Sequence, residues 1–140
     1  MNTILVCLVI AIVDGDTLTA VCNGKEQIKI RLAEIDAPEK NQSFGSRSKQ
    51  SLFDMCFYKK AVIRPLEKDY YKRTVAKVSC DGLDVNKEQI KRGMAWVYDK
   101  YVRDKSLYYI QDIAKISRKG LWVENNPIKP WKYRRNIKSR

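Results

Sequence analysis

Three short runs rich in Val, Ile, Thr and Leu occupy residues 6–13, 17–22 and 27–32, and they constrain the fold more than any other feature. The tripeptides D-G-D and N-G-K separate the runs, and Asp-Gly and Asn-Gly are strong signals for tight hairpin turns. Apolar and polar residues alternate in the third run, which places Ile30 on the core face and Arg31 on the opposite face. The three runs therefore predict an antiparallel meander of strands.

Four further segments complete the predicted architecture. Residues 61–65 and 73–79 have the composition of strands, whereas residues 46–57 and 104–119 carry apolar residues at the spacing of one helix face. The strands mostly precede the helices instead of alternating with them, which argues against a βαβ sheet. The expected fold is a β-rich α+β domain, a five-stranded Greek-key barrel of the OB type with about three helices.

A third, shorter helix is predicted after the C-D-G turn at residues 80–82. Asn86 and Gln89 have the spacing of a capping pair at its beginning. Gly93 is the expected cap at its end, because glycine readily adopts the left-handed conformation that many helix C-termini use.

Chain length and charge bound the organisation and the partners. The whole chain, residues 1–140, is expected to form one domain with its core at about residues 6–122. Lys and Arg number 28 against 16 Asp and Glu, so the formal charge is +12. Such a surplus favours a polyanionic partner, nucleic acid before an anionic membrane. The basic tail, residues 127–140, has two prolines and no acid, and it is expected either to be loosely ordered or to lie along the surface.

Histidine is absent from the sequence, and this excludes several mechanisms. A Ser-His-Asp triad, a histidine general base and a histidine-based zinc site cannot be assembled. Catalysis would have to depend on carboxylates, Lys, Arg, Tyr, Cys or a metal ion. The apolar run at residues 4–13 is too short to cross a bilayer and is interpreted as a strand, so no stable membrane association is expected.

Four cysteines lack the C-x-x-C spacing of zinc and thioredoxin sites, so they form either two disulfides or four buried thiols. Pairing of Cys7 with Cys22 is favoured, because both lie at the outer ends of the two runs that the D-G-D turn joins; Cys56 is then paired with Cys80. Disulfides are typical of oxidising compartments. A periplasmic or secreted location is therefore expected, although no signal peptide is recognisable in the sequence.

Acidic and basic residues that suit phosphate chemistry are concentrated in three stretches. These are V-D-G-D-T-L at residues 13–18, I-R-L-A-E-I-D-A-P-E at residues 30–39 and D-Y-Y-K-R-T at residues 69–74. Carboxylate oxygens suit a hard divalent cation, guanidinium groups bind phosphate oxygens, and a carboxylate can activate the attacking water. The stretches predict phosphodiester hydrolysis by the following residues: Asp16, Arg31, Asp36, Glu39 and Arg73.

Four of these residues, all except Glu39, also have a purely structural interpretation when each is taken alone. The D-G-D sequence suits a hairpin turn, an Asp before Ala-Pro suits a turn or cap, and the two arginines suit solvated positions on strands. Independent turn and surface requirements do not need all five residues in this order. The joint occurrence therefore favours the catalytic interpretation.

Together with G-M-A-W-V-Y at residues 93–98 and R-K-G-L-W at residues 118–122, these stretches resemble the thermonuclease (staphylococcal or micrococcal nuclease) family. The resemblance covers about residues 6–122 and consists of several motifs in the same order. It implies an OB-fold barrel that acts as a calcium-dependent, largely sequence-nonspecific endonuclease on DNA and RNA and leaves 3′-phosphate ends. We expect the enzyme to be a monomer.

The resemblance also implies a cation site. In that family the second Asp of D-G-D and the Asp of the I-D-x-P-E motif, here Asp16 and Asp36, hold Ca²⁺. The main-chain carbonyl of the next residue, here Ala37, completes the implied protein ligands. Glu39 corresponds to the proposed general base, which orients or deprotonates the attacking water.

Arg31 and Arg73 match the two phosphate-binding arginines of the family. The family commonly has glycine immediately before the second arginine, whereas this chain has Lys72. Lysine is less favourable than glycine if that position requires a positive φ, but it adds a phosphate-seeking charge.

Nucleotide-binding residues are implied as well. Tyr71 and Tyr101 lie near positions at which the family stacks a nucleotide base, and Tyr98 is a further candidate. Lys72 is the expected cationic neighbour of these rings.

Two other functions are consistent with parts of the sequence. A noncatalytic domain of the same fold would bind nucleic acid or a modified peptide, but such domains usually lose motif residues, and all five matched positions here have the catalytic type. A basic membrane-surface protein is disfavoured, because the last predicted helix mixes acids and lysines without a clean cationic face.

Overall fold

Eight strands, four α-helices and one 3₁₀ helix are present in the computed structural model, which describes residues 3–138. The strands are β1 (Leu5–Asp14), β2 (Thr17–Cys22), β3 (Glu26–Leu32), β4 (Ile35–Asp36), β5 (Lys60–Lys68), β6 (Thr74–Cys80), β7 (Leu83–Asp84) and β8 (Trp96–Val97). The helices are α1 (Gly45–Cys56), α2 (Val85–Lys91), α3 (Ser106–Ile116) and α4 (Pro130–Lys138), with the 3₁₀ helix at Gly120–Val123. Within residues 3–138, every helix is too short or too polar to cross a membrane.

The five longest strands form a closed barrel. Neighbouring strands are antiparallel in the order β3, β2, β1, β5, β6. A parallel pairing of β3 with β6, from Ile30 opposite Thr74 to Leu32 opposite Ala76, closes the sheet on itself. Of the short strands, β4 pairs with β8, and β7 pairs with β6. The predicted five-stranded barrel of the OB type is thereby confirmed.

Apolar side chains of the barrel strands fill the interior, and α1 and α2 cover it. Helix α1 packs against β1, and α2 packs against β6 and α3. The alternation of the strands explains this arrangement, since every second side chain points inward. The largest buried side chains of the barrel include Val9, Leu18, Ile30, Leu32 and Ile63.

A second, smaller apolar cluster lies beside the barrel. It consists of Trp96, Ala114, Leu121 and Trp122, and Trp131 of α4 packs against it. The rings of Trp96 and Trp122 meet edge to face with their centroids 4.5 Å apart. This cluster gives the C-terminal part of the chain an apolar anchor.

Two disulfides connect the elements. Cys7 of β1 is bonded to Cys22 of β2, and the two residues are directly opposite each other in the sheet. Cys56 at the end of α1 is bonded to Cys80 at the end of β6. Both predicted pairings are confirmed, and the alternative of four free thiols is wrong.

The helices differ from the prediction in number and length. Four α-helices are present instead of about three, because the tail that was expected to be loose or surface-laid, residues 127–140, contains α4; residues 139–140 lie outside the described part. Helix α3 (Ser106–Ile116) is shorter than the helix predicted at residues 104–119. Helix α3 begins at Ser106, whose backbone N–H donates to the carboxylate of Asp104 at 3.0 Å.

Asn86 and Gln89 do not cap α2, contrary to the prediction. Asp84 is the N-cap residue, and its carboxylate accepts a hydrogen bond from the backbone N–H of Lys87 at 3.1 Å. Asn86 and Gln89 are instead buried and bond main-chain groups of the barrel and of α1, because polar side chains in a core need partners. Gly93 ends the helix as predicted, with a φ of 70°.

Candidate active site

A cleft of about 1290 Å³ opens at the end of the barrel where the sequence motifs meet. Both signs of charge line it. The acids are Asp14, Asp16, Glu34, Glu39, Glu67 and Asp69, and the cations are Arg31, Lys68, Arg73, Lys100, Arg134, Arg135 and Lys138. Aromatic side chains on its walls are Tyr70, Tyr71, Tyr98, Tyr101 and Trp131.

The D-G-D turn between β1 and β2 places Asp16 at the floor of the cleft. The backbone N–H of Asp16 donates to the carboxylate of Asp14 at 3.0 Å, which fixes the turn. Only glycine fits at position 15, because a Cβ there would lie 1.8 Å from the Oγ of Ser48. The Gly15 carbonyl accepts a hydrogen bond from Gln89 at 2.8 Å, so the turn is also tied to α2.

Arg31 brings the two predicted metal-binding acids together. Its Nη1 lies 3.3 Å from Oδ2 of Asp16, and its Nη2 donates to Oδ1 of Asp36 at 3.1 Å. Its Nη1 also donates to the carbonyls of Leu32 and Ile35, at 2.9 Å each. The side chain is only 12% exposed. Arg31 is therefore a fixed group of the cleft, and the interpretation as a solvated strand arginine is wrong.

Ala37 contacts Asp16 through its backbone N–H, which donates to Oδ2 of Asp16 at 2.7 Å. Asp16 and Asp36 are both almost fully buried. The three predicted metal-binding residues thus adjoin each other. The ligand role of the Ala37 carbonyl stays a prediction.

The acids of this cluster have strongly perturbed pKa values. Burial and the neighbouring charge of Asp16 raise the pKa of Asp14 to about 7. Burial likewise raises the pKa of Asp36 to about 6, against the hydrogen bond from Arg134 and the charge of Arg31. Burial also opposes ionisation of Asp16, but the charge of Arg31 and hydrogen bonds outweigh it and hold the pKa of Asp16 below its ordinary value.

Glu39 reaches the cleft from the loop between β4 and α1. Its backbone N–H donates to the Gln42 side chain at 3.0 Å, and its carbonyl accepts from the backbone N–H of Gln42 at 2.9 Å. The chain turns sharply here, since a Cβ on Gly45 would lie 2.0 Å from the Glu39 carbonyl oxygen. The carboxylate of Glu39 is 32% exposed and lies 3.2 Å from Nη1 of Arg134.

Arg73 lies across the cleft, at the end of the turn between β5 and β6. Its Nε donates to the Asp69 carboxylate at 2.7 Å, and the same carboxylate accepts from the backbone N–H groups of Tyr71 and Arg73. Although burial opposes it, the hydrogen bonds from Arg73 hold the pKa of Asp69 below its ordinary value. Lys72 has a φ of 64°, so the position does require a positive φ. Its side chain is exposed and does not line the cleft.

The predicted base-stacking tyrosines have different surroundings. Tyr71 and Tyr101 are 71% and 52% exposed, so their rings are accessible from solvent. Tyr98 is in edge contact with Tyr101, with the ring centroids 4.8 Å apart. Trp131 stacks in parallel on Tyr98, with the centroids 5.0 Å apart. One face of Tyr98 is therefore covered by α4.

Arg134 is the cleft residue that the sequence interpretation missed. Its Nη2 and Nη1 donate to the two carboxylate oxygens of Asp36, at 2.8 Å and 3.1 Å. Its Nη2 also lies 3.3 Å from the hydroxyl of Tyr98. The run P-W-K-Y-R-R at residues 130–135 contained a signal for this position, because Trp131 and Arg134 are three residues apart and share one face of a helix.

The oxygen atoms of Asp16 and Asp36 would supply only part of the coordination shell of a divalent cation. Within residues 3–138, no three Asp, Glu, Cys or His side chains converge as a complete metal site. Asp16 and Asp36 nevertheless supply buried carboxylates beside one guanidinium. Burial, together with the charge of Asp16, raises the pKa values of Asp14 and Asp36. A cation with further water ligands suits such a set, because Ca²⁺ combines carboxylates, main-chain carbonyls and waters.

Comparisons with known proteins agree with this geometry. The family described as staphylococcal nuclease homologue matches residues 29–124. The chain is 46% identical over 132 residues to an uncharacterized endonuclease of Haemophilus influenzae, which covers 94% of this chain and 74% of that protein. It is 37% identical over 142 residues to the micrococcal nuclease of Shigella flexneri, covering 94% and 81% of the two chains.

In a plant relative the similarity covers only part of a longer protein. The chain is 36% identical over 111 residues to a probable staphylococcal-like nuclease of Oryza sativa, which covers 79% of this chain but 34% of that protein. The family match, the relatives and the closed barrel confirm the resemblance that the motifs suggested. The chain belongs to the staphylococcal nuclease homologue family.

Proposed function

We propose that this protein is a calcium-dependent endonuclease that hydrolyses phosphodiester bonds of DNA and RNA with little sequence preference and leaves 3′-phosphate ends. One observation carries the proposal: Arg31 joins two buried acids, Asp16 in the cleft and Asp36 behind it, and Glu39 and Arg73 line the same cleft. The names of the relatives, an endonuclease and a micrococcal nuclease, support the same activity.

Asp16, Asp36 and the carbonyl of Ala37 would hold the cation. When bound, Ca²⁺ supplies positive charge to a phosphate oxygen and lowers the pKa of bound water. The buried carboxylates favour this, because a divalent ion would stabilise the ionised forms of Asp14 and Asp36, which burial and the neighbouring charge of Asp16 disfavour.

Three side chains of the cleft carry out the other steps of hydrolysis: Glu39 as the base, and Arg31 and Arg73 as phosphate-binding groups. Glu39 takes a proton from the attacking water, whose oxygen forms a bond to phosphorus while the bond from phosphorus to the 5′ oxygen breaks. The leaving oxygen takes a proton from solvent. Arg31 and Arg73 donate hydrogen bonds to the phosphate oxygens, where negative charge accumulates in the transition state. Because Arg31 is already fixed by its carbonyl and carboxylate partners, it needs little reorganisation.

Nucleic acid is the proposed substrate class and the protein acts as a monomer. The formal charge of +12 attracts a polyanion, and the exposed rings of Tyr71 and Tyr101 offer stacking surfaces to bases. Stacking needs an unpaired base, so single-stranded or accessible substrate is expected to be preferred.

The test is degradation of single-stranded DNA by the purified protein in Ca²⁺, in Mg²⁺ and in the presence of a calcium chelator. We expect shortening of the DNA in Ca²⁺ and none with the chelator, with 3′-phosphates on the products. Folded protein that cleaves with none of these metals would overturn the proposal. The noncatalytic nucleic-acid-binding domain would then be the better interpretation.

We also infer a periplasmic or secreted location, for which the two disulfides are the support. Thiol titration of the native, unreduced protein is the corresponding measurement. We expect no reactive thiol before reduction and four after reduction in denaturant. Four thiols in protein isolated without reductant would remove the inference.

A further inference from the structure

We propose that Arg134 is a positioning residue that holds the carboxylate of Glu39 in place for catalysis. Helix α4 delivers its guanidinium to the cleft, where it joins Glu39 to Asp36. The inference rests on the proposed function, because it assigns Glu39 the role of general base.

The guanidinium forms a rigid bridge between the two acids. Nη1 donates to Oδ1 of Asp36 at 3.1 Å and to Oε1 of Glu39 at 3.2 Å, while Nη2 donates to Oδ2 of Asp36 at 2.8 Å. Asp36 is fully buried and is held by Arg31 as well. The planar guanidinium of Arg134, with its fixed donor geometry, thereby holds the Glu39 carboxylate in a defined position relative to the buried carboxylate of Asp36.

Glu39 depends on this bridge. Among residues 3–138, Arg134 is the only group that bonds the Glu39 carboxylate. A glutamate side chain that is 32% exposed and without such a partner would sample several rotamers. The bridge selects the one that points into the cleft.

The loop that carries Glu39 is tied to the C-terminal segment at two further points. The side-chain amide of Gln42 donates to the carbonyl of Ile128 at 2.7 Å, and Oγ of Ser43 donates to the carboxylate of Glu124 at 2.6 Å. The segment that precedes α4 therefore braces the backbone of this loop, and Arg134 fixes its side chain.

The anchor of α4 does not depend on Arg134. Trp131 stacks on Tyr98 and lies in edge contact with Trp96, with ring centroids 6.3 Å apart. Lys129 forms an ion pair with Asp99 at 3.7 Å. Truncation of Arg134 is therefore expected to leave the helix docked and to release only the carboxylates of Asp36 and Glu39 and the hydroxyl of Tyr98.

The experiment compares wild type, Arg134→Ala, Arg134→Lys and the control Arg64→Ala on single-stranded DNA at saturating Ca²⁺. Arg64 is exposed and does not line the cleft, so its removal changes the net charge by the same amount without touching the bridge. We expect Arg134→Ala to lower kcat by about 10- to 100-fold, as loss of a supporting partner of an active-site group typically does. KM is expected to change by less than about threefold, since the bridge acts on a catalytic group and not on substrate.

Lysine tests the bridge itself. Arg134→Lys keeps the charge but has a single ammonium in place of the planar fork, so kcat is expected to fall between those of wild type and Arg134→Ala. Arg64→Ala is expected to behave as wild type. Wild-type kcat in Arg134→Ala, or a change confined to KM, would overturn the proposal.

Hydrogen exchange supplies a readout that is independent of turnover. We expect the amides of residues 39–45 to exchange at the wild-type rate in Arg134→Ala and in Arg64→Ala, because Gln42 and Ser43 brace the backbone of this loop without Arg134. Faster exchange of these amides in Arg134→Ala alone would contradict the positioning role, since the loss of kcat would then come from a disordered loop. An inactive wild type would overturn the proposed function instead, and the exchange comparison would still show whether Arg134 holds the backbone of this loop.

Discussion

The two predicted phosphate-binding arginines, Arg31 and Arg73, lie on two walls of the cleft that are built differently: the barrel wall, formed by β3, and the turn wall, formed by residues 69–73. Arg31 extends from a barrel strand, is 12% exposed and contacts two buried acids and two main-chain carbonyls. Arg73 follows a turn, is 27% exposed and is paired with one acid, Asp69. Its guanidinium carbon lies 5.5 Å from the ring of Tyr71, which is itself mostly exposed.

The difference indicates that Arg31 is preorganised, whereas Arg73 can change position when substrate binds. The barrel wall has groups that burial and mutual contacts keep in position, and fixed dipoles and charges stabilise a transition state best when they need not move. Arg73 of the turn wall has one acid, Asp69, as its partner, so it can adjust to the phosphate that we propose it binds. The following predictions test this contrast.

The largest effect is expected from Arg31→Ala. It removes a fixed guanidinium that we propose binds phosphate, so kcat should fall by at least about 10²- to 10³-fold. It also leaves Asp16 buried without its arginine partner and Asp36 paired with Arg134 alone. Because these acids are buried, the free energy of unfolding should fall by about 3–5 kcal/mol. Kinetics and urea unfolding measure the two effects, and wild-type turnover in the folded variant would contradict the assignment.

Arg73→Ala should lose less activity and almost no stability. Loss of one charged hydrogen bond to phosphate corresponds to about 1.5–3 kcal/mol, so kcat/KM should fall roughly 10- to 100-fold. Because the pair with Asp69 is partly exposed, the free energy of unfolding should change by less than about 1 kcal/mol. A decrease in the free energy of unfolding as large as that of Arg31→Ala would contradict the proposed difference between the barrel wall and the turn wall.

Asp69→Asn tests the turn through pH. The pKa of Asp69 is lower in the folded protein than its ordinary value of 3.8, so its ionised form favours folding. That contribution is present above the ordinary value and is lost as the pH falls through the lowered one. Wild type should therefore exceed the variant in stability at pH 6 by at most about 1 kcal/mol. The difference should shrink near pH 3 in urea titrations, and a difference that grows toward low pH would be the wrong sign.

The smallest effect is expected from Lys72→Gly. Lys72 has a φ of 64°, and glycine adopts this conformation without steric cost, so the substitution should stabilise the fold by about 0.5–1 kcal/mol. Lys29→Gly in β3 is the matched control and should destabilise by a similar amount. A loss of stability in Lys72→Gly would show that the lysine side chain supports the turn.

Local patterns were sufficient for the barrel and for most of the site. Alternation and hairpin signals predicted the strands, the D-G-D turn predicted the place of Asp16, and the spacing of Cys7 and Cys22 predicted their pairing. These features depend on neighbours in the sequence or on one hairpin. The requirement for a positive φ at Lys72 was likewise visible from the glycine of the family motif.

Features that depend on long-range contacts were missed. Helix α4 is basic and begins at a proline, Pro130, and its docking depends on the contact of Trp131 with Tyr98, 33 positions earlier in the chain. Asn86 and Gln89 were predicted to cap the helix because they are three residues apart, as in a capping box. Their hydrogen-bond partners are instead main-chain groups of the barrel and α1. Arg134 was missed for the same reason, since its partners lie in the motifs near residue 36.

The central claim is that the acids and arginines of one cleft carry out hydrolysis with Glu39 as the base. Single-turnover cleavage and binding of the same labelled single-stranded DNA by wild type and Glu39→Gln in Ca²⁺ test it most directly. The account predicts cleavage slower by at least about 10²-fold in the variant, the lower range for loss of a general base, with binding within about threefold of wild type. Cleavage at the wild-type rate by the folded Glu39→Gln protein would contradict it.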